Sequence, residues 1–245
     1  MIKLYFIMKA AKVNFRTAKT VVLGFFLLMQ FWLLFLNKHD TMDLDVTPAT
    51  NPSLNFWGMT RMAQSFVSRI NGLSRIDVSL ATHGRPNTKD IIFELREAAP
   101  GTSSFVRLVF NASSIRNNAF RAFNFPAQRH SAGKKYIFSL TSPDSTEPDS
   151  ICIWMNRRDI YKDGNYIING RPQEGDLNFR VYSRRAIMSE LRRVVRNYPG
   201  IMNSPALFIA AIVVFTLMEL LVLSRLLDLI MGPKNEPPVN TKPPD

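Results

Sequence analysis

Two long uncharged apolar runs, one toward each end of the 245-residue chain, constrain its fold most strongly. The first extends from Thr20 to Asn37 and the second from Asn197 to Met218. As a helix, a run of about 18 or more apolar residues is long enough to cross a hydrocarbon layer of ~30 Å. We therefore predict transmembrane helices over residues 20–37 and 201–224, which leave room for about one ordinary domain between them.

A secretory signal peptide is the competing interpretation of the first run. Basic residues precede the run, as they do in the n-region of a signal peptide. The run is longer than the apolar region of a signal, however, and no small-x-small cleavage site follows directly at residues 37–40. A membrane anchor is therefore the favoured interpretation.

The distribution of charge around the first run predicts its orientation. The charged residues on its N-terminal side are all basic, whereas on its C-terminal side Lys38 is followed by Asp40, Asp43 and Asp45. Cytoplasmic flanks carry an excess of Lys and Arg. We predict that residues 1–19 form a basic cytoplasmic N-terminus, that residues 225–245 form a proline-rich cytoplasmic tail, and that the central domain lies outside the inner (cytoplasmic) membrane.

The central segment shows the pattern of a β domain. Residues 38–60 are rich in Thr, Pro, Asn and Asp and are predicted to be a linker. From residue 61 to 183, short alternating runs such as Leu73–Leu80 are separated by turn-forming clusters such as Asn169-Gly170. The predicted fold class is mainly β, an extracytoplasmic β-sandwich of the jelly-roll type flanked by two transmembrane helices.

Residues 184–198 are predicted to form a basic amphipathic helix before the second span. Ile187, Leu191 and Val195 fall at helical spacing. The other face carries arginines that would contact anionic lipid headgroups; they are Arg184, Arg185, Arg192, Arg193 and Arg196. A solvated linker helix is an equally good interpretation, and the arginines also run against the positive-inside rule for an external segment.

The residues of the chain indicate no catalytic chemistry. The three histidines have no partner at a metal-ligand or hydrolase spacing, and no phosphate-binding loop or nucleophile elbow occurs. The single cysteine, Cys152, lies in an apolar run that is typical of a buried thiol. We predict a protein without catalytic residues, metal ligands or cofactors. Loop carboxylates leave a structural Ca²⁺ open as an alternative.

One aromatic stretch has residue types that suit a glycan. Aromatic rings on a β domain can pack on sugar rings, and polar neighbours can bind hydroxyl groups. The candidate glycan-binding residues are Trp154, Asn156, Arg157, Tyr161 and Tyr166. The opposing interpretation places Trp154 in the core. The net charge of +8 over residues 38–196, from 23 basic and 15 acidic residues, would suit an acidic polymer or anionic lipid, while a nucleic acid is not expected outside the cytoplasm.

Glu219 is an acid within the second predicted span. An ionisable residue inside a membrane marks a functional contact by default. We predict that Glu219 contacts a basic group on a partner helix, and extension of its side chain toward the cytoplasmic headgroups is the alternative. Arg225 and Asp228 are expected to pair with each other at i, i+3 spacing.

Several short motifs resemble a known module. They are Gln64-Ser65-Phe66, residues 71–78, Thr82-His83-Gly84-Arg85-Pro86-Asn87-Thr88, Asn169-Gly170 and residues 175–180. These motifs resemble a β-sandwich module that is appended to bacterial cell-envelope and glycosyltransferase-type membrane proteins. The resemblance covers residues 64–182 and implies a jelly-roll, carbohydrate-binding-like fold. It implies no binding residues, and the multispan catalytic part of the glycosyltransferases has no counterpart in this sequence.

These observations together predict a non-catalytic, membrane-anchored binding module of the cell envelope. Its β-sandwich would recognise a glycan or a partner that handles one. The alternative function is that of an accessory subunit, which would stabilise a larger membrane complex through its helices and its external domain.

Overall fold

The computed structural model describes residues 15–47, 51–52, 55–196 and 204–231. The chain divides into two compact units. One is a β unit over Lys38–Arg185, and the other combines Met1–Asn37 with Ala186–Asp245 and contains the helices. Residues 1–14 of the predicted N-terminal segment and residues 232–245 of the predicted tail lie outside the described residues.

The β unit consists of strands joined by short turns. The strands are β1 (Lys38–Val46), β2 (Asn51–Pro52), β3 (Gly58–Val67), β4 (Leu73–Ala81), β5 (Asp90–Glu97), β6 (Val106–Asn111), β7 (Ala119–Gln128), β8 (Lys135–Ser142), β9 (Cys152–Asn156), β10 (Tyr166–Ile168), β11 (Arg171–Gln173), β12 (Asp176–Leu177) and β13 (Phe179–Ala186). Short 3₁₀ turns lie at Ala112–Ser114 and Glu147–Asp149. The prediction of a mainly β domain is confirmed.

These strands form two sheets. The first has seven strands in the order β1-β13-β4-β9-β12, with β7 also paired to β4 and β2 paired to β9. The second has six strands in the order β11-β10-β3-β8-β5-β6. Neighbouring strands such as β4 and β7, or β5 and β8, pair antiparallel. Strands that follow one another in the chain often lie in different sheets, so the chain crosses repeatedly between them.

Aromatic side chains from the two sheets meet in the core. Strands such as β5 alternate buried and outward residues, as a strand with one face on the core must. The ring of Phe93 on β5 stacks on that of Phe123 on β7, with centroids 4.1 Å apart. Phe66 on β3 packs against Phe179 on β13 at 5.9 Å. Because both contacts join residues of different sheets, the inner faces share one hydrophobic core.

The structure corrects the predicted linker over residues 38–60. Residues 38–46 form strand β1, which lies beside β13 at one end of the first sheet's strand order. Leu44 and Val46 are buried, and Asp43 and Asp45 alternate with them. The aspartates concealed this period-two pattern because they are poor strand formers in general. Residues 58–60 belong to β3, so both ends of the predicted linker are strands.

The aspartates of β1 fasten this strand to the rest of the sheet. Asp40 pairs with Arg184 at 3.1 Å and Asp45 pairs with Arg180 at 3.4 Å, in an order that matches antiparallel pairing of β1 with β13. Asp43 accepts hydrogen bonds from the backbone N–H of Arg69 and from the Ser68 hydroxyl. Burial raises the pKa of Asp43 above its usual value, although these donors oppose the shift.

A buried carboxylate connects the two sheets. Asp176 on β12 accepts the backbone N–H groups of Ile160 and Tyr161, both at 2.9 Å, and the Gln64 side-chain amide at 3.1 Å. Gln64 on β3 in turn accepts the N–H of Leu177. Both side chains are fully buried. Burial raises the pKa of Asp176, while the donors favour its charged form.

Two helices of the second unit are long and apolar enough to cross a membrane. They cover Phe15–Leu36, with mean hydropathy 1.9, and Ala206–Met231, with mean hydropathy 2.7. Helix α1 (Phe15–Phe31) continues into a π-helical turn over Trp32–Leu36, α2 covers Ile187–Arg196, and α3 covers Pro205–Met231. The first helix begins before the predicted residue 20, and α3 extends beyond the predicted residue 224. Their large side chains are exposed, which is compatible with a membrane protein.

Replacing Asp176 should destabilise the β unit. Asp176→Ala removes the acceptor of the Ile160 and Tyr161 N–H groups and one of the two acceptors of the Gln64 amide. We expect a loss of about 3–5 kcal/mol in the free energy of unfolding. Asp176→Asn keeps one acceptor and should lose less. Urea unfolding of the full chain in neutral detergent measures both effects.

The matched control is Asp159→Ala. Asp159 lies in the connection between β9 and β10 whose backbone Asp176 binds, but Asp159 is exposed and pairs with exposed Lys162. Its removal should change the stability by less than about 1 kcal/mol. Equal losses in the two alanine variants would contradict a structural role for the buried carboxylate.

Candidate functional site

Strand β9 presents one tryptophan on the outer side of the first sheet. Ile153 and Met155 point into the core, so Cys152, Trp154 and Asn156 alternate onto the other face. The Trp154 side chain is half-buried, and its Nε1 donates a hydrogen bond to the Asn118 side-chain oxygen at 3.1 Å. The indole is therefore held in place while part of it remains accessible.

Two asparagines before β7 assemble the surroundings of this ring. Asn118 has a positive φ of 56°, a conformation that Asn adopts more readily than most residues. The side-chain oxygen of Asn117 accepts the backbone N–H groups of Thr82 and His83 at 2.9 and 3.2 Å. The connection between β6 and β7 is thus tied both to the turn after β4 and to Trp154.

We call the group of Trp154, His83, Asn117 and Asn118 the Trp154 surface. His83 is exposed, as is Arg157 in the turn that follows β9. The surface combines an aromatic ring with amide and imidazole groups, which can form hydrogen bonds with sugar hydroxyls. The sequence interpretation included Trp154 and Arg157 but missed both asparagines, and the turn-forming pair Asn117-Asn118 was the signal that could have identified them.

Asn156, which was also predicted to bind glycan, makes a structural contact. Asn156 is half-buried, and its side-chain oxygen accepts the backbone N–H of Arg158 at 2.9 Å. Gly175, with φ +90°, approaches so closely that a Cβ there would lie 2.3 Å from the Asn156 carbonyl oxygen. Asn156 therefore shapes the turn that presents Arg157.

The prediction that Tyr161 and Tyr166 bind glycan is wrong. Both rings are buried, at 6% and 3% exposure. The Tyr161 hydroxyl accepts the backbone N–H of Val67 at 3.0 Å, and burial raises its pKa. The Tyr166 hydroxyl faces the sulfur of Met62, and burial raises its pKa to about 12. A ring that is packed on the core cannot stack on a sugar.

Cys152 lies buried beneath His83. Its Sγ is 3.1 Å from His83 Nε2, and desolvation raises the thiol pKa to about 11, although nearby Arg85 opposes this shift.

Among the described residues, no group of three His, Cys, Asp or Glu side chains could hold a metal ion. Of the loop carboxylates considered for Ca²⁺, Asp159 pairs with Lys162 and Asp176 accepts the N–H groups of Ile160 and Tyr161.

Two of the arginines predicted for lipid contact are not on the amphipathic helix. Arg184 and Arg185 belong to β13, because the pairing of this strand with the unpredicted β1 extends its end. Helix α2 begins only at Ile187. Arg192 on α2 is exposed and Arg193 pairs with Glu190, while Arg196 ends the helix and its side chain lies outside the described part.

Glu219 finds a partner within its own chain. It accepts a hydrogen bond from the side-chain amide of Gln30 on α1. The contact of Glu219 with a basic group on a partner helix stays a prediction. Asp228 pairs with Lys19 at 2.6 Å, so the predicted Arg225–Asp228 pair is wrong. The two contacts connect α1 and α3 in antiparallel order, with the N-terminal part of α1 beside the C-terminal part of α3.

No family model matches the chain, and no match is found among curated proteins. The resemblance to a carbohydrate-binding-like module stays a prediction from the sequence.

The contact between Gln30 and Glu219 should stabilise the helix pair. Interhelical hydrogen bonds in membranes contribute about 0.6 kcal/mol on average and reach roughly 1.7. We expect a double-mutant cycle of Gln30→Leu and Glu219→Leu to give a coupling in this range, measured by SDS unfolding of the reconstituted chain. A control cycle that combines Gln30→Leu with Leu217→Ala, an exposed position, should give a coupling near zero. Indistinguishable couplings would contradict the contact.

Cys152 should react slowly with thiol reagents in the folded protein. Only the thiolate is nucleophilic, and a pKa of about 11 keeps the thiol protonated at pH 8. Raising the pH toward 11 should therefore accelerate alkylation of folded protein. In denaturant, where the ordinary pKa returns, the reaction at pH 8 should be at least a hundredfold faster; mass spectrometry with iodoacetamide measures both rates. Rapid labelling of the native protein at pH 8 would show that the thiol is not buried.

Proposed function

We propose that the protein is a non-catalytic, membrane-anchored binding module of the cell envelope, whose β unit recognises a glycan at the Trp154 surface. The main support for glycan recognition is the half-buried indole of Trp154, which is fixed by Asn118 and surrounded by polar side chains. An aromatic face contributes contact area to the apolar side of a sugar ring, and fixed amides contribute directed hydrogen bonds. Docking on a protein that handles a glycan would use the same surface.

The proposed fold is a β-sandwich of the jelly-roll type. Ring contacts between the sheets, such as that of Phe138 on β8 with Phe179 on β13 at 5.3 Å, support face-to-face packing. The repeated crossing of the chain from one sheet to the other supports the jelly-roll connection. This architecture leaves the outer sheet faces for ligands.

The proposed anchor is the pair of helices α1 and α3 in the inner membrane, with both termini in the cytoplasm and the β unit outside. The pairing of Lys19 with Asp228 supports a hairpin whose two outer ends lie on one side. Basic residues before α1 and aspartates after it support the orientation. The amphipathic helix α2, with exposed Arg192, would lie among anionic lipid headgroups.

A non-catalytic role agrees with the chemistry of Cys152 and His83. Their contact is the pairing in the described β unit that most resembles a nucleophile with its base. Burial favours the neutral thiol, which is the unreactive form. The accessory-subunit alternative has less support because Gln30 already occupies Glu219.

Glycan binding should depend on Trp154. The test titrates envelope oligosaccharides, including peptidoglycan and lipopolysaccharide core fragments, into the full chain in neutral detergent. A background with Trp32→Phe and Trp57→Phe leaves Trp154 as the single fluorophore, so a bound sugar should shift its emission. Trp154→Ala in the otherwise native chain should weaken binding about fivefold to tenfold, as measured by calorimetry.

Phe105→Ala is the matched control. Phe105 is an exposed aromatic residue that precedes β6 of the second sheet, so its removal should leave affinity within about twofold. Equal affinities of the native protein and Trp154→Ala, or no binding of any oligosaccharide in the panel, would overturn the proposed function.

A further inference from the structure

The outer face of the second sheet has a different chemistry from the Trp154 surface. Alternation along β3, β5, β6 and β8 places charged residues on this face, and most are basic. Arg61, Arg96, Arg107 and Lys135 face outward, and Glu94 is the acid among them. The other outward acid of β5, Asp90, lies at the far end of that strand. The face therefore has an excess of positive charge.

A groove of about 410 Å³ crosses this basic face. Arg61, Arg96 and Asn169 contribute its polar lining, and Ile137 and Ile167 contribute apolar surface. The register explains the arrangement, because Ile137 lies opposite Arg96 and Ile167 lies opposite Ala63. Its volume falls in the range of small-ligand sites. No aromatic ring is among the described residues that line the groove.

Arg61 is already engaged, and it organises the groove. Its guanidinium pairs with Glu94 at 2.5 Å and donates to the Ser139 hydroxyl at 2.9 Å. Its backbone N–H donates to the Asn169 side-chain oxygen at 2.8 Å. This last bond fixes the amide plane of Asn169.

Arg96 and Asn169 retain donors for a ligand. Arg96 Nη1 donates to the carbonyl of Glu97 at 3.1 Å, while its Nε and Nη2 donate to no other residue in the described ranges. The amide nitrogen of Asn169 likewise makes no hydrogen bond to the described part of the chain. Glu97 itself pairs with Lys134, so it does not neutralise Arg96. The groove thus offers a guanidinium fork and a fixed amide.

We propose that this groove binds a carboxylate-bearing saccharide. The fork of Arg96 matches the two oxygens of a carboxylate, and the Asn169 amide can donate to a neighbouring hydroxyl. Ile137 and Ile167 pack on the C–H groups of the sugar ring. The site is independent of the Trp154 surface, since the residues of the two sites lie on different sheets.

The test uses the full chain in neutral detergent and a short oligogalacturonate as probe. Calorimetry should show binding that weakens with added salt, while the fully methyl-esterified oligomer should not bind. Arg96→Gln should raise the Kd about fivefold to tenfold. Arg129→Gln, which removes the same charge from an exposed turn, should change it less than twofold. Trp154→Ala should leave this affinity unchanged, so either site can fail without the other.

Several results would overturn the assignment. Equal effects of Arg96→Gln and Arg129→Gln would indicate attraction by net charge alone. Inorganic polyphosphate that binds as tightly, with the same dependence on Arg96, would indicate a general polyanion site. Arg96-dependent binding to phosphatidylglycerol vesicles with none to oligogalacturonate would assign the face to the membrane. Failure of the native protein to bind oligogalacturonate would also reject the proposal.

Discussion

The hydrogen-bonded pair of Asp176 and Gln64 is the contact on which the arrangement of the β unit most depends. It joins β12 of the first sheet to β3 of the second and holds the backbone at residues 160 and 161. Aromatic packing is compatible with many relative registers of two sheets. A buried carboxylate that must meet three hydrogen-bond donors is compatible with few of them. β12 pairs with β9, so the same contact fixes the strand that carries Trp154.

Much of the fold could be predicted from the sequence because its patterns are local. Strands such as β4 and β8 alternate apolar and polar residues, and the two apolar helices are evident from their length. β1 was missed because its aspartates resemble those of a linker, and they function only through distant partners such as Arg184. Because β1 was missed, the end of its neighbour β13 was also wrongly assigned to a helix.

The candidate site was less predictable, for a physical reason. Residue type identifies which side chains can bind a sugar. Whether such a side chain is exposed depends on how its strand packs against the other sheet. Tyr161 has the right type, but Val67 and Phe179 enclose it, and neither is near in sequence. Asn118 meets Trp154 only because turns from distant parts of the chain converge. The groove of Arg96 depends in the same way on the neighbouring strands β3 and β10.

Polar side chains pair with one another within each of the two units. Glu219 accepts a hydrogen bond from Gln30, and Lys19 pairs with Asp228, whereas the buried Oε1 of Gln30 has no hydrogen-bond partner among the described residues. In the β unit, Asp43 and Asp176 are likewise satisfied by the chain itself. Arg96 and Asn169 keep donors on the outer face of the second sheet. The two proposed sites differ in chemistry, since an indole lies on one outer face and a guanidinium fork on the other, and this difference predicts ligands of different charge.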